Sequence, residues 1–279
     1  MSAVTLTLLE AGHCVFPEHI TRGRGGFGPV RFPATFALIE HPTAGPLLFD
    51  TGYGRAFFTA TRRWPNQLYA RLTPTTLREE QLAVHQLAQR GLRPADIPRI
   101  LISHFHADHV SALGDFPAAR FSYWPEAWAA VRGRRGLSAL RAAYLPEVMP
   151  PDFEARAAPL DPAALRPLPP EFAPFRHGVD LFGDETLLAV PLPGHAVGQI
   201  GLLARTAAAP VFLLADACWH SSAIREDRPP HALAQLLFAD AAQYRATLHA
   251  LHTLHMHRPA VALVPAHCEE AQERYAAAS

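Results

Sequence analysis

Three histidines and one aspartate fall within six positions of the stretch LISHFHADHVSAL (101–113): His104, His106, Asp108 and His109. Imidazole nitrogens and carboxylate oxygens are donors for borderline divalent cations, so the cluster offers metal chemistry, and a solvated histidine-rich turn is the competing account. His104 and His106 sit two apart and point to the same side if an extended conformation persists. Asp108 and His109 follow after the chain has turned. One short loop then presents two imidazoles in one direction and a carboxylate with an imidazole in another. That division suits two neighbouring ions and suits a single ion poorly. The motif holds no cysteine, so Zn2+ is the first expectation, with Mn2+, Fe2+ or Co2+ as variants.

Three more stretches carry residues of ligand type. PLPGHAVGQIG places His195 after an apolar run and a Pro-Gly turn, VFLLADACW ends on Asp216, and VALVPAHCEE ends on His267. A single histidine at the end of a strand is usually only a polar loop residue. Here three candidates recur in one setting, the C-terminal end of an apolar strand, where open α/β architectures collect their sites.

Elements that would position these residues are visible as short apolar runs at 4–9, 34–40, 46–50, 99–103, 119–124, 186–192, 199–205, 210–216 and 260–266. Most are bounded by Gly, Pro or Asp, and each has the length of a strand. Helical spacing of apolar residues predicts helices over 75–91, 125–133 and 233–257. Strands and helices alternate, but hairpin-like pairs over 34–50 and 186–216 call for mixed sheets covered by helices. Residues 134–178, rich in Pro, Ala and Arg, are expected to form a lid-like excursion from a single domain over 1–279.

The chain has 279 residues with 25 Lys+Arg against 25 Asp+Glu, so nothing draws it to nucleic acid or an anionic membrane. No apolar run is long enough to span a bilayer, and MSAVTLTLLEAGH does not read as a signal peptide. Cys14, Cys218 and Cys268 are too few for a disulfide framework and fit reduced thiols in a cytoplasmic protein. A small-molecule substrate is expected, and the oligomeric state is left open.

In order along the chain, FDTG (49–52), His104-x-His106-x-Asp108-His109, His195, Asp216 and His267 resemble the pattern of the metallo-β-lactamase-fold hydrolases. The resemblance covers nearly the whole chain. It implies an α/β fold: a four-layer αβ/βα sandwich of two mixed sheets flanked by helices, with a dinuclear site at one edge. It further implies that His104, His106 and His195 hold one metal and that Asp108, His109 and His267 hold the other. Asp216 would bridge them, and Asp50 would orient ligands from behind. Within the family the chain is most similar to the acyl-homoserine-lactone lactonases, in the distance from DTG to the histidine motif and in GLRPADIPRILISHFHADH. Two positions depart from that branch. Trp219 stands where those lactonases usually carry a tyrosine, three residues after the bridging aspartate, and Gln199 stands where they often show a second histidine.

The implied chemistry is hydrolysis. Two cations sharing an oxygen would lower the pKa of a bridging water, and the hydroxide would attack the carbonyl of a small ester, lactone or thioester. Asp108 and Asp216 are the catalytic carboxylates on this reading, and Trp219 and Phe27 are pocket residues. The Gly- and Arg-rich stretch 20–32 lacks the context of a phosphate loop and is expected as a mobile loop at the site mouth, with Arg22, Arg24 or Arg31 facing an anionic group. His249, His252, His255 and His257 are expected on an exposed helical face. A mononuclear-iron sulfur dioxygenase and a phosphodiesterase are the alternative activities on the same ligand types.

Overall fold

The computed structural model describes residues 3–278, so residues 1, 2 and 279 of the expected domain lie outside the described residues. Its strands are β1 (Thr5–Pro17), β2 (Pro29–His41), β3 (Gly45–Phe49), β4 (Thr75–Thr76), β5 (Arg99–Leu101) and β6 (Arg120–Ser122). The second half adds β7 (Leu165–Pro167), β8 (His177–Asp180), β9 (Leu187–Pro191), β10 (Ile200–Arg205), β11 (Pro210–Ala215) and β12 (Ala262–Pro265). They form two six-stranded sheets, ordered β4-β1-β2-β3-β5-β6 and β12-β11-β10-β9-β8-β7. Both are mixed: β1, β2 and β3 are antiparallel while β3, β5 and β6 are parallel, and β11 pairs parallel with β12.

Continuous apolar runs arise because the strands are covered on both faces. In β2, Ala37 and Ile39 point into the layer between the sheets, whereas Phe36 and Leu38 point outward under the first group of helices. In β11, Val211, Leu213 and Ala215 face inward, and Phe212 and Leu214 meet the helices of the second half, including Leu248, Leu251 and Leu254 of the helix Ala241–His257. The inner layer joins Val4, Leu6 and Leu47 of one sheet to Leu187, Leu202 and Val264 of the other. This is the expected four-layer sandwich.

Three expectations need correction. The helix expected over 75–91 is short: Thr75–Thr76 pairs with His13 and Cys14 of β1, a 3-10 turn follows at Glu79–Gln81, and the α-helix is only Ala83–Ala88. Gln81 and Gln86 both bond Glu10 of β1, through its carboxylate and its carbonyl, so docking on the sheet edge overrides helical propensity. The helix expected over 233–257 breaks after Gln235 and restarts at Ala241, because the Asp240 carboxylate accepts from Ala242 N and Gln243 N and caps a new start. Finally, residues 165–167 of the supposed lid are β7 and its last residues open β8, and both strands are integral to the second sheet.

Candidate metal centre

The seven sequence-predicted ligands converge at one end of the sandwich, on loops that leave the ends of strands from both sheets. After β5 the chain runs extended through His104 and His106, then makes a four-residue helix, Ala107–Val110. The His104 and His106 rings lie 4.4 Å apart, and the turn swings Asp108 and His109 to the other side. His195 follows β9, Asp216 follows β11 and His267 follows β12.

Ligand-type atoms of His104, His106, His195 and Asp216 all lie within 4.8 Å of one another, and those of Asp108, His109 and His267 form a second such group. Asp216 stands between the groups. Its Oδ2 is 3.2 Å from His195 Nε2, while its Oδ1 is 3.1 Å from both His109 Nε2 and His267 Nε2. Asp108 Oδ2 lies 3.5 Å from His267 Nε2 and 3.7 Å from His109 Nε2.

The atoms facing inward behave as donors awaiting a cation. His104 Nε2, His109 Nε2 and Asp216 Oδ1 are buried with no hydrogen-bond partner among the described residues, an arrangement that is costly unless something electropositive is bound. The outward nitrogens of His267 and His109 are satisfied instead. His267 Nδ1 donates to the Pro33 carbonyl at 2.8 Å, which leaves its Nε2 lone pair for the centre. His109 Nδ1 donates to Asp50 Oδ2 at 2.7 Å. Asp50 itself holds φ at 61°, a left-handed conformation rare for a non-glycine residue. Donor types, tautomers and orphaned atoms all fit divalent metals.

Electrostatics agree with this division. Burial, reinforced by His109 and His106, pushes the His104 pKa well below the usual imidazole range. Burial also acts downward on His109, but Asp108, Asp216 and Asp50 outweigh it and hold that pKa well above the usual range. For Asp216 burial acts upward, and His267, His109 and His195 overcome it to hold the carboxyl well below the usual range.

Gly194 allows His195 to reach the centre. It has φ of 129°, and a Cβ there would lie 2.2 Å from the backbone nitrogen of Tyr244. Ala239 N bonds the His195 carbonyl at 3.0 Å and Asp240 N bonds that of Gly194 at 2.9 Å, so the break in the second helix is where it grips this loop. Gln199 is buried and bonds the Leu192 carbonyl through Nε2 at 3.3 Å, tying the loop's ends rather than facing a metal.

The wall beside the centre is aromatic. Trp219, half-buried, stands 5.8 Å from the His195 ring and 5.5 Å from Phe238, and Phe32 packs on Trp219, His220 and His267. Phe32 and Phe238 were not singled out from sequence, where nothing distinguishes them from core phenylalanines. Phe27, expected in the pocket, is 81% exposed and touches the His19 ring instead. The arginines of the stretch 20–32 are already paired: Arg22 with Glu18, Arg24 with Glu226, and Arg31, within β2, with Glu10 and Glu269. Cys218 is buried, its pKa pushed up to about 12, chiefly by that burial, and its thiol donates to the His220 carbonyl. His249 and His252 bond Asp227 and the Ile224 carbonyl, so they dock the helix Ser221–Glu226 on its neighbour.

Two mixed sheets with helices outside and two groups of His and Asp donors at their rim define a metal-binding αβ/βα enzyme fold. Residues 29–255 match the Metallo-beta-lactamase superfamily, and the chain belongs to that family. Among curated relatives, the N-acyl homoserine lactonase AttM of Azorhizobium caulinodans is 28% identical over 248 residues, 84% of each chain. The N-acyl homoserine lactonase AiiB of Agrobacterium fabrum is 29% identical over 194 residues, 68% of this chain and 64% of that one. Among solved structures, AidC, described as a dizinc quorum-quenching lactonase, superposes with a TM-score of 0.65 at 14% identity, covering 97% of this chain and 90% of that one. That likeness is one of fold.

Proposed function

We propose that this protein is a single-domain, dinuclear-metal hydrolase that opens a small lactone, of the N-acyl-homoserine lactone class, by attack of water on the ring carbonyl. The observation that carries the proposal is the sorting of seven side chains into two donor groups with Asp216 between them. Relatives named as lactonases over most of both chains support the substrate class.

On this reading His104, His106 and His195 would hold one divalent ion and Asp108, His109 and His267 a second, with Asp216 placed between the two groups; Zn2+ suits these donors. When bound, the ions supply Lewis acidity for the carbonyl and lower the pKa of water to near neutrality. The chain's own residues do the rest. Asp50 and the Pro33 carbonyl fix the ring orientation of His109 and His267. Trp219 and Phe238, with the buried Phe32 packed behind Trp219, form an apolar wall that excludes bulk water and takes the substrate's hydrocarbon part. Asp108, whose side chain is 12% exposed against 5% for Asp216, is the carboxylate nearer solvent and is assigned to hold the proton that passes to the leaving oxygen. No helix among the described residues is long and apolar enough to cross a membrane.

The test is direct. Protein loaded with Zn2+ is incubated with N-acyl-homoserine lactones of several chain lengths, a thioester, a phosphodiester and a persulfide, and products are followed by mass spectrometry and oxygen uptake. Ring-opened acyl-homoserine as the fastest product supports the proposal. Oxygen consumption with persulfide, or phosphodiester cleavage with no acyl hydrolysis, overturns it.

A further inference from the structure

We propose that Ser103 is a positioning residue that makes one carboxylate, Asp50, orient a ligand in each of the two donor groups. The inference rests on the metal-binding reading above and assigns a role to a residue that the ligand pattern does not include.

Four fully buried residues form the device. Asp50 Oδ1 accepts from Ser103 N at 2.8 Å, and Asp50 Oδ2 accepts from Ser103 Oγ at 2.7 Å and from His109 Nδ1 at 2.7 Å. Ser103 Oγ is also 2.9 Å from His104 Nδ1. Exposure is 0% for Ser103 and His104 and 1% for Asp50 and His109, so solvent supplies no alternative partner.

Counting protons fixes the arrangement. An ionised carboxylate only accepts, so the single hydroxyl hydrogen of Ser103 points to Asp50. Its oxygen is then an acceptor, and the hydrogen between it and His104 must belong to Nδ1. His104 Nε2 therefore carries the lone pair, and it is the atom left without a partner beside His106 and His195. His109 reaches the same state by donating directly to Asp50. If the hydroxyl turned to donate to His104, Asp50 would lose a donor and Nε2 would aim a hydrogen into the first group. One carboxylate thus sets the tautomer of His109 directly and that of His104 through a hydroxyl, and the left-handed backbone of Asp50, held by its N–H on the Leu101 carbonyl at 2.9 Å, aims it at both.

The asymmetry supplies the test. Zn2+ binding to metal-free full-length protein is titrated against a chelator in wild type, Ser103→Ala, Ser103→Thr and Asp50→Asn, with melting of each metal-free form and long-range 1H–15N spectra of the histidine rings. Ser103→Ala should weaken one binding step about 10- to 100-fold while the other stays within threefold, and should alter the ring-nitrogen signals of one histidine. Asp50→Asn should weaken both steps. Ser103→Thr, which keeps the hydroxyl, should restore the affected step. Equal weakening of both steps in Ser103→Ala, no change in either, or a Thr variant as weak as the Ala variant would overturn the inference while leaving two-metal binding intact. Wild type that binds no metal would instead overturn the metal-binding reading itself, and this inference with it.

Discussion

The indole N–H of Trp219 donates to Asp216 Oδ2 at 3.2 Å. Trp219 was expected as a pocket residue in place of the branch's tyrosine, and its one donor is committed to the carboxylate that stands between the two donor groups. What Trp219 offers the cavity is its ring. Trp219→Phe keeps the packing on His195 and Phe238 and removes one hydrogen bond to a charged group. Its kcat should fall no more than roughly tenfold, with metal content unchanged. Trp219→Ala should mainly raise KM for lactones with long acyl chains, because it removes contact common to ground and transition states. Steady-state kinetics with metal analysis checks both, and loss of a full metal equivalent in Trp219→Phe would contradict this account.

Metal removal should destabilise the protein. Ligands that bind only the native state add stability, about 4 kcal/mol at a thousandfold excess over Kd. Dialysis against chelator should therefore lower Tm by at least about 5 °C, reversibly on adding Zn2+. His104→Ala and Asp216→Ala should each abolish turnover and bind fewer than two equivalents. Elemental analysis of chelator-free protein giving a firm value of one would contradict the two-ion proposal.

Gly194→Ala should be among the more damaging single-methyl changes. The added carbon meets Tyr244 backbone at 2.2 Å, and neither the loop nor the helix can withdraw without breaking the bonds from Ala239 and Asp240. A loss of at least about 3 kcal/mol is expected in urea melts. Gly114→Ala, where a Cβ meets nothing within 4 Å, is the control and should change little.

Burial, with the charges of Arg22 and His267 nearby, pushes the His220 pKa down to about 3 from an ordinary value near 6.5. The unfolded chain takes up that proton as pH falls through 6.5, and the folded chain does not until about 3. Stability from this group is thus complete above 6.5 and is lost progressively as pH drops across that window. His220 Nε2 is buried without a partner, so His220→Phe sacrifices no bond there and keeps the aromatic contact with Phe32. Between pH 7.5 and 4.5 the variant should lose about 2 kcal/mol less than wild type in denaturant melts. Parallel pH profiles would show that His220 titrates normally.

Legibility varied with the kind of constraint. Strands buried on both faces advertise themselves, so β2, β3, β9, β10 and β11 were readable as apolar runs, and the candidate ligands were readable because each ends such a run. Strands β7 and β8 were not, since LRP and HGVD carry no apolar signature and are defined by the neighbours they pair with. The helix break at Leu82 depends on Gln81 and Gln86 reaching Glu10 of β1, and the break at Asp240 on backbone bonds to Gly194 and His195 as well as on its own cap. The same holds for the site: Asp50 and Asp216 sit in recognisable patterns, whereas Phe32, Phe238 and Ser103 acquire their roles only from what folding brings beside them.

Neither sheet holds a complete donor group. His104, His106, Asp108 and His109 come from the loop after β5, and His195, Asp216 and His267 come from the other sheet. In order of synthesis the first group is complete once Asp216 has emerged, whereas the second waits for His267, after β12 has closed the edge of its sheet. Loading during translation would therefore be sequential. A chain stalled between Tyr244, whose helix start grips the His195 loop, and His267 would carry all residues of the first donor group and lack one of the second, and a ribosome arrested at that point would hold a species that fully made protein does not pass through when it is stripped and refilled.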